Sequence, residues 1–333
     1  MAPGSPLAVV GGRLATGLVE LTDDLSVLDR SGFWAVVITF EGRATCARFS
    51  HVRPARPWPG APWVGPPARA WRTSLDAAGF REAVRAVRHA IGDGDVYQVN
   101  LTRRLSAPAP VAAEIAALGA ALAAGNPAPY SAVVRLPEAD LHVASASPEC
   151  FLARRGRDVQ SRPIKGTAGT SRGFLGKDRA ENVMIVDLVR NDLGRVCEYA
   201  SVRVPALCAV EAHPGLYHLV STVAGRLRRS VGWPELVAAT FPPGSVTGAP
   251  KLAALDHIAK LEPVPRGPYC GAVGWVDADT GEGELNVAIR TFWIEGSELH
   301  LGTGGGITWD STPEGEWAET ELKARRLLAV VSS

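Results

Sequence analysis

The sequence predicts a mixed, largely antiparallel α/β (α+β) sandwich. Short β-like runs follow one another with helices interspersed, and the strict strand–helix alternation of a doubly wound sheet or barrel is missing. No internal repeat is visible, which argues against a solenoid or propeller. The 333 residues include 46% hydrophobic and 21% charged residues, which is typical of a globular protein of one large or two modest domains.

The charge balance and the cysteines argue against several functional classes. Thirty-five Lys and Arg against 34 Asp and Glu leave a formal charge of +1, which argues against a nucleic-acid or polyanion binder. The five cysteines are odd in number and scattered, without a CxxC pair, so we expect reduced thiols instead of disulfides or a zinc site. No apolar run reaches about 18 residues and no secretory leader is evident, so we expect a cytoplasmic protein.

Residues 1–72 are expected to form a short N-terminal region of their own. The apolar run 32–40 (GFWAVVITF) predicts a buried strand, which residues 44–50 are expected to pair with. The proline-rich stretch 54–67 is incompatible with a helix or a central strand, so it predicts an exposed connection to the main domain, residues 73–333.

The spacing of apolar residues predicts the helices and strands after residue 72. Apolar residues at helical spacing over 80–91 stop at a Gly-Asp-Gly turn, and an Ala/Leu-rich stretch stops at Gly-Asn-Pro. Thr312-Pro313 is typical of the start of a final helix. Alternating residues over 284–295 predict one strand that includes Arg290. Together these patterns predict helices at 80–91, 112–124, 178–195, 250–261 and 314–331, and strands within 131–161 and at 201–207, 217–227, 269–276 and 284–295.

Two helix starts carry paired carboxylates. Asp178 and Glu181 are three residues apart, as are Glu316 and Glu319, and residues at this spacing lie on one face of a helix. Such acids often serve only as solvated groups at helix N-termini. If the two helix starts converge, however, they form an oxygen-only site suited to Mg²⁺.

Four other residues are candidates for chemistry. Lys165 is either a surface charge or a buried amine nucleophile. Glu149 is a candidate acid or base, and His218, inside an apolar run, is either a catalytic residue or a hydrogen-bonded core histidine. Arg290, flanked by Ala288 and Phe292, would need an anionic partner, for which a substrate carboxylate would serve.

Nine motifs resemble those of the chorismate-utilising enzymes and occur in the same order. They cover roughly residues 74–331, which argues against accidental similarity, whereas residues 1–70 match poorly. The motifs are GDVYQVNLTRRL (94–105), ASPEC (146–150), SRPIKGTAGT (161–170), ENVMIVDLVRNDLGRV (181–196), YHLVSTVAG (217–225), FPPGSVTGAPK (241–251), YCGAVGW (269–275), AIRTF (288–292) and GTGGGITWDSTPEGEWAETELKARRL (302–327).

The resemblance implies a fold and a metal. The family has a two-subdomain α/β sandwich with the active site in the cleft between its layers, where the dianion chorismate binds. The family's magnesium ligands correspond to Glu181 and Glu319, with Asp178 and Glu316 reaching the ion through its waters. Mg²⁺ would hold the carboxylate on the chorismate ring.

The resemblance also implies substrate contacts. Arg290 and Tyr269 match the positions that hold the enolpyruvyl carboxylate, and Glu149 matches the family's general acid/base. Further matched positions line the ring or offer backbone amides to an anion, which glycine permits by close approach: Gln98, Gly166, Thr167, His218, Ser245, Gly304, Gly305 and Gly306.

Two positions select a branch of the family. Relatives that add water to chorismate have a lysine where this chain has Gln98, and an amide cannot take up the proton. Relatives that make anthranilate have PIAGT where this chain has PIKGT with Lys165. The resemblance is therefore nearest to the aminodeoxychorismate synthase branch. There the lysine is thought to add at ring carbon 2 and expel the 4-hydroxyl, before ammonia attacks carbon 4.

An aminating enzyme of this kind needs an ammonia source. None of the cysteines lies in a G-x-C-x-G nucleophile elbow, so the resemblance implies a separate glutamine amidotransferase subunit, with free ammonia as a substitute. Two alternatives stay open: component I of anthranilate synthase, and a non-catalytic chorismate-binding paralogue. The sequence also leaves open whether the product serves para-aminobenzoate and folate or a specialised metabolite.

Overall fold

Six helices lie outside a large sheet in the described part of the chain. The computed structural model describes residues 4–110, 113–168, 170–213 and 216–332, without the side chains of residues 167, 213 and 216. Each of the five predicted helices is present, and a sixth, α4, was not predicted. The helices are α1 (Ala77–Gly92), α2 (Ile115–Gly125), α3 (Gly176–Gly194), α4 (Trp233–Thr240), α5 (Lys251–Leu261) and α6 (Pro313–Val331).

Eighteen described strands form one hydrogen-bonded network in which the named strand pairs are antiparallel, which confirms the predicted fold class. The strands are β1 (Leu7–Val10), β2 (Arg13–Thr22), β3 (Phe33–Ile38), β4 (Ala44–Pro54), β5 (Arg72–Thr73), β6 (Gln98–Pro108), β7 (Tyr130–Leu136), β8 (Leu141–Ser147), β9 (Cys150–Arg155), β10 (Asp158–Arg162), β11 (Ile164–Ala168), β12 (Arg203–His213), β13 (Leu216–Arg226), β14 (Gly248–Ala249), β15 (Ala272–Asp277), β16 (Glu282–Val287), β17 (Thr291–Glu295) and β18 (Glu298–Ile307).

The order of the strands explains how the sheet makes two layers. From one end it runs β12, β13, β10, β9, β16, β15, β3, β4 and β2. It continues through β1, β7, β8, β17 and β18 to β6. The two ends then lie face to face, because a side chain added at Gly306 of β18 would come within 3.4 Å of the Lys165 Nζ on β11, which pairs with β13.

The prediction of one continuous strand over 284–295 is wrong, because the structure has two strands there. The chain leaves β16 at Val287 and enters β17 at Thr291, and Arg290 between them has a left-handed backbone with φ of 51°. A bulky residue adopts this conformation at a cost, so the surroundings must hold it there. Arg290 is therefore at a break between two strands and not at the mid-strand position that alternation predicted.

The N-terminal region contributes strands to the same sheet. The predicted pairing of 32–40 with 44–50 is confirmed by β3 and β4, and β3 also pairs with β15. The proline-rich stretch has no helix or strand from 55 to 67, as predicted.

Two tryptophans near the proline-rich stretch bind the end of the last helix. The indole of Trp63 donates a hydrogen bond to the Val331 carbonyl, and that of Trp71 donates to the Ser332 hydroxyl, each at 2.9 Å. These two tryptophans also pack against the core beside α6. The last turn of α6 is thus fixed by side chains some 260 positions earlier in the chain.

Among the described residues, none of the helices combines the length and the apolar character needed to cross a bilayer.

Candidate active site

The two ends of the sheet and the first turns of α3 and α6 converge on one cleft. β11 and β13 supply Lys165 and His218 from one layer, and β18 with β6 supplies Gly306 and Gln98 from the other. Most of the residues proposed from the sequence therefore lie around one space, although they are spread over more than 200 positions of the chain.

Lys165 is at a bulge of β11 that points its amine into the cleft. The register with β13 shifts between Lys165 and Thr167, where Gly166 has a φ of +78° that glycine adopts without strain. The Nζ donates a hydrogen bond to the Ser245 carbonyl at 3.1 Å. Burial lowers the pKa of Lys165, an effect that the carboxylate of Glu181 opposes. The amine is thus closer to its neutral, nucleophilic form than a surface lysine.

Glu149 lies in the turn between β8 and β9 and is buried, with 3% of its surface exposed. Burial raises the pKa of its carboxyl from 4.5 to about 7, against the opposing effects of the Ser245 hydroxyl and the Lys165 charge. A carboxyl group with this pKa can both donate and accept a proton near neutral pH.

Gln98 occupies the start of β6, fully buried against β18. Neither amide atom of this side chain has a hydrogen-bond partner among the described residues. Its Nε2 would be 2.4 Å from a side chain at Gly306, so the glycine makes room for the amide. A buried amide without a partner is costly, so its hydrogen bonds have to be completed by water or by a ligand atom.

His218 connects the bulge on β11 to Arg290. Its Nδ1 is 3.5 Å from the Gly166 carbonyl, and its Nε2 is 3.5 Å from an Arg290 Nη2. A neutral ring with the proton on Nδ1 suits both contacts, because Nδ1 can then donate to the carbonyl and Nε2 can accept from the guanidinium. The left-handed backbone of Arg290 thus directs a cation towards the histidine.

Tyr269 is buried beside β18. Its ring packs on the backbone of Gly302, where an added side chain would come within 2.1 Å of the ring. Burial raises its pKa well above 10, so the phenol is neutral and could donate a hydrogen bond.

Different neighbours leave little room for a side chain at each of the three glycines Gly304, Gly305 and Gly306 of β18. At Gly304 the nearest obstacle is the Leu101 carbonyl of β6, at 2.4 Å, so close strand packing requires glycine there. At Gly305 the nearest atoms are carboxylate oxygens, Glu316 Oε2 at 3.1 Å and Glu319 Oε1 at 3.6 Å. At Gly305 and Gly306 the glycine thus makes room for side chains of the cleft.

The four acidic residues are arranged less symmetrically than the sequence suggested. Asp178 accepts a hydrogen bond from the Leu175 amide at 2.7 Å and so caps α3, and Glu316 accepts one from the Ser311 hydroxyl at 2.6 Å. Glu181 and Glu319 carry the charges nearest to Lys165 in this group, since both raise its pKa. The first turns of the two helices do converge, as the sequence left open.

A metal site of the expected kind is compatible with this arrangement. Burial raises the pKa of Glu181 and of Glu316, and the charge of Glu319 raises both further. Such mutual repulsion is relieved by a cation. No three His, Cys, Asp or Glu among the described residues are close enough to form one metal centre. However, Mg²⁺ is commonly bound by only one or two protein carboxylates, with water and substrate oxygens as its remaining ligands.

Lys323 is a site residue that the sequence reasoning missed. Its Nζ is 2.7 Å from Glu319 Oε1 and donates to the Gly304 carbonyl at 2.9 Å. The charge of Lys323 is the main reason that the pKa of Glu319 is lowered. Its spacing of four residues after Glu319 was a signal that could have identified the pair.

Among the residues expected at the site, Thr167 is described by its backbone alone. That backbone lies in β11 opposite His218, and the side chain is outside the described part of the chain.

Relatives with this sequence pattern are numerous. Aminodeoxychorismate synthase component 1 of Klebsiella aerogenes is 41% identical over 79% of this chain and 60% of its own length. Anthranilate synthase component 1 1 of Haloarcula marismortui is also 41% identical, over 76% of this chain and 53% of its own length. Aminodeoxychorismate synthase component 1 of Escherichia coli is 36% identical over 98% of this chain and 76% of its own length. The chain thus spans between about half and three quarters of these relatives.

Solved structures share the fold. The chain superposes with a TM-score of 0.81 on a putative 2,3-dihydroxybenzoate-specific isochorismate synthase, DhbC, from Bacillus anthracis, covering 99% of this chain and 96% of the other at 24% identity. Anthranilate synthase component I from Streptococcus pneumoniae gives a TM-score of 0.80, covering 98% and 91% at 24% identity. The family model for chorismate binding enzymes matches residues 59–329. This chain therefore belongs to the chorismate-binding enzyme family.

Proposed function

We propose that the chain is the chorismate-aminating component of a Mg²⁺-dependent aminodeoxychorismate synthase. The observation that carries the proposal is Lys165, whose amine is buried in the cleft and has a lowered pKa. Anthranilate-forming relatives have alanine at this position. The similarity to aminodeoxychorismate synthase component 1 from two bacteria supports the same assignment.

The proposed reaction uses the two buried groups in sequence. The neutral amine of Lys165 forms a bond to ring carbon 2 of chorismate, the double bond shifts, and the 4-hydroxyl leaves as water with a proton from Glu149. Ammonia then forms a bond to carbon 4, and the lysine leaves carbon 2 as the double bond shifts back. The excess proton of the ammonia nitrogen returns to Glu149. The net reaction is chorismate plus ammonia to 4-amino-4-deoxychorismate plus water.

The other residues bind and orient the substrate. Arg290, with Tyr269, is proposed to hold the enolpyruvyl carboxylate, and His218 orients the guanidinium through the 3.5 Å contact. Glu181 and Glu319 would hold the Mg²⁺, with Asp178 and Glu316 near its waters. The ion would neutralise the ring carboxylate and fix its position.

The nitrogen is proposed to come from a glutamine amidotransferase subunit, with free ammonia as a substitute. The relatives named component 1 are consistent with a partner. We assign the product to para-aminobenzoate and folate synthesis or to a related specialised pathway, in the cytoplasm.

Anthranilate synthase component 1 is the second candidate, because such an enzyme from Haloarcula marismortui is as similar in sequence as the first relative. It would aminate chorismate at carbon 2 and release anthranilate, without a covalent lysine.

The product distinguishes the candidates. The protein is incubated with chorismate, Mg²⁺ and an ammonium salt at high pH, and products are identified by mass and fluorescence. We expect 4-amino-4-deoxychorismate with ammonium present and no isochorismate when nitrogen is withheld, since Gln98 cannot act as the base for water. Anthranilate as the main product would establish the second candidate, and no turnover with any nitrogen source would indicate a non-catalytic paralogue.

Lys165→Ala tests the covalent role. We expect most activity to be lost, and the wild-type protein to yield a trapped adduct on the peptide containing Lys165. Lys260→Ala, which removes an exposed lysine from α5, is the matched control and should keep full activity. Formation of 4-amino-4-deoxychorismate by Lys165→Ala at nearly the wild-type rate would reduce Lys165 to a positioning charge.

A further inference from the structure

A lysine–aspartate pair that the proposed reaction does not use joins two of the motifs matched to the family. Lys251 ends the motif 241–251, and Asp192 lies in the motif 181–196. The Lys251 Nζ is 2.6 Å from Asp192 Oδ2 and donates a second hydrogen bond to the Thr240 carbonyl at 3.1 Å. The two side chains are 17% and 9% exposed, so removing one partner would leave a poorly solvated charge behind.

The amine of Lys251 closes the segment between α4 and α5. Thr240 is the last residue of α4 and Lys251 is the first of α5, so the bond to the Thr240 carbonyl joins the two ends of residues 241–250. The later half of this segment pairs with β6 through β14. The earlier half packs on α3, where a side chain added at Gly244 would be 3.4 Å from the Leu188 Cβ. Lys251 therefore adds a tie at the start of the earlier half.

Ser245 lies in the middle of this segment and faces both groups of the proposed reaction. Its carbonyl accepts a hydrogen bond from the Lys165 Nζ at 3.1 Å, and its hydroxyl is close enough to Glu149 to lower the pKa of that carboxyl. Ser245 is buried, so its position is set by the protein around it. A shift of the segment would therefore change both the direction of the amine and the acidity of the carboxyl.

The helix α3 gives the pair a fixed base. Next to Glu181, the buried Asn182 donates a hydrogen bond to the Leu219 carbonyl of β13 at 3.1 Å, which ties the start of the helix to the sheet. Asp192 lies about three turns further along and holds Lys251. Loss of the pair is therefore expected to displace the segment and to leave Glu181 in place.

We propose that Lys251 and Asp192 are positioning residues, whose ion pair keeps Ser245 in place for the proposed reaction. This inference rests on the proposed function, which gives Lys165 and Glu149 their roles. A lysine suits the task because its ammonium group donates several hydrogen bonds at once, here to a carboxylate on α3 and to the carbonyl at the end of α4. A neutral apolar side chain in its place would satisfy neither acceptor.

Substitutions at the pair separate positioning from stability. Lys251→Met removes both hydrogen bonds and leaves the Asp192 carboxylate without its lysine partner, whereas Lys251→Met/Asp192→Asn also removes that stranded charge. Lys260→Met, at an exposed position of the same helix, is the matched control. Thermal unfolding of each variant is measured first, so that rates are compared only between folded proteins.

The kinetic readout is the split between kcat and chorismate binding. Initial rates of 4-amino-4-deoxychorismate formation are measured with saturating ammonium salt and Mg²⁺ at fixed high pH, and chorismate affinity is measured by calorimetry without ammonium. For Lys251→Met we expect kcat to fall about 10- to 100-fold, as for a misplaced reacting group. The Kd for chorismate should stay within about threefold, because Arg290 and Glu181 keep their positions. The double variant should unfold at a higher temperature than Lys251→Met and be equally slow.

Three results would overturn the positioning role and leave the proposed function intact. The first is a folded Lys251→Met variant with the wild-type kcat. The second is a double variant that regains the wild-type kcat, because the stranded charge alone would then explain the loss. The third is a rise in the Kd for chorismate as large as the fall in kcat, since it would mean a general distortion of the site.

The wild-type protein and the control identify the other outcomes. If the wild type makes no 4-amino-4-deoxychorismate from ammonium, the proposed function fails, and this inference fails with it. Lys260→Met should match the wild type in kcat and in Kd, and a loss equal to that of Lys251→Met would overturn the positioning role. If Lys251→Met does not fold, the double variant takes its place and is judged by the same two quantities.

Discussion

At the scale of single residues, the cleft brings a buried acid and a buried base together. Lys165 and Glu149 each have a pKa moved by burial towards neutrality, and each charge stabilises the other. Their charges therefore depend on each other in a way that a surface ion pair would not show. This coupling gives a prediction for stability as well as for catalysis.

Glu149→Gln should change how stability depends on pH. The pKa of Glu149 is about 7 in the folded protein and 4.5 ordinarily, so the folded state binds its proton more tightly than the unfolded state. Stability contributed by the protonated acid is complete below pH 4.5 and is lost as the pH rises through 7. Relative to wild type, the variant should thus gain roughly 2–3 kcal/mol between pH 5 and pH 8. Urea unfolding at both pH values measures this, and parallel curves for the two proteins would contradict it.

Gly306→Ala should lower activity without unfolding the protein. The added methyl would be 2.4 Å from Gln98 Nε2, so the amide must move, and it would reach van der Waals contact with Lys165 Nζ at 3.4 Å. Displacing an amide that lines the proposed substrate site is expected to reduce kcat/KM by about 10- to 100-fold. Gly194→Ala, at the end of α3 with nothing within 4 Å, is the control and should keep its activity. A fully active Gly306→Ala enzyme would show that the Gln98 amide does not need its present position.

The sequence predicted individual residues better than their partners. It identified His218 as a candidate because a histidine inside an apolar run is visible in a sequence, and the matched motifs of the family supplied the roles of Glu149 and Lys165. It did not predict that Asp178 would cap α3 or that Lys323 would pair with Glu319. Those roles depend on side-chain directions and on which helix ends meet, and neither is encoded in local spacing alone.

At the scale of elements, a buried ion pair joins α5 to the site. Arg266 donates to both Glu262 oxygens, at 2.8 and 2.7 Å, and to the Val246 and Asn100 carbonyls. The Glu262 carboxylate also accepts from the Thr102 amide at 2.8 Å. One side chain thus fixes the end of α5, the turn that carries Ser245, and β6.

Arg266→Met should therefore be strongly destabilising. It leaves the Glu262 carboxylate buried without a counter-charge, which typically costs about 3–5 kcal/mol. The double variant Arg266→Met/Glu262→Gln should recover part of the loss, because the stranded charge is gone. Arg72→Met is the control, since its pair with Glu298 is exposed and worth about 1 kcal/mol or less. Equal losses from both single variants, measured by urea unfolding, would argue against this account.

Elements were predictable where the pattern was long and periodic. The five predicted helices and the β3–β4 pair followed from apolar spacing. The break between β16 and β17 did not, since the alternation continues through Arg290 in the sequence, and only the packing at the site explains its left-handed backbone.

At the scale of the whole molecule, the substrate would lie between the two ends of the sheet. The cleft takes groups from β6, β11, β13 and β18 and from two helices, whereas strands β1 to β4 of the N-terminal region lie in the middle of the strand order and join the two halves of the sheet. No local pattern in the sequence reports that the sheet turns back on itself. The resemblance to a family supplied that part of the prediction.

Mg²⁺ and chorismate should bind cooperatively. If Glu181 and Glu319 hold the ion beside the substrate carboxylate, each ligand strengthens the other by the same factor, which is expected to be about tenfold or more. Calorimetry with chorismate, in Mg²⁺ or in EDTA, measures this coupling. Glu319→Gln should abolish it, whereas Glu314→Gln, at an exposed position of α6, should not. Chorismate affinity that is the same in Mg²⁺ and in EDTA would rule out the proposed site.

The last helix has a consequence for how the protein tolerates mutation. α6 is 19 residues long, about 28 Å, with Glu316 and Glu319 in its first turns and Trp63 and Trp71 bound at its far end. A helix transmits displacement along its axis, so loosening one end changes the position of the other. In a saturation mutagenesis screen for activity, Trp71 should therefore tolerate as few replacements as a residue in the cleft. Selection for activity would thus act on the tryptophans of the N-terminal region, although they lie outside the cleft.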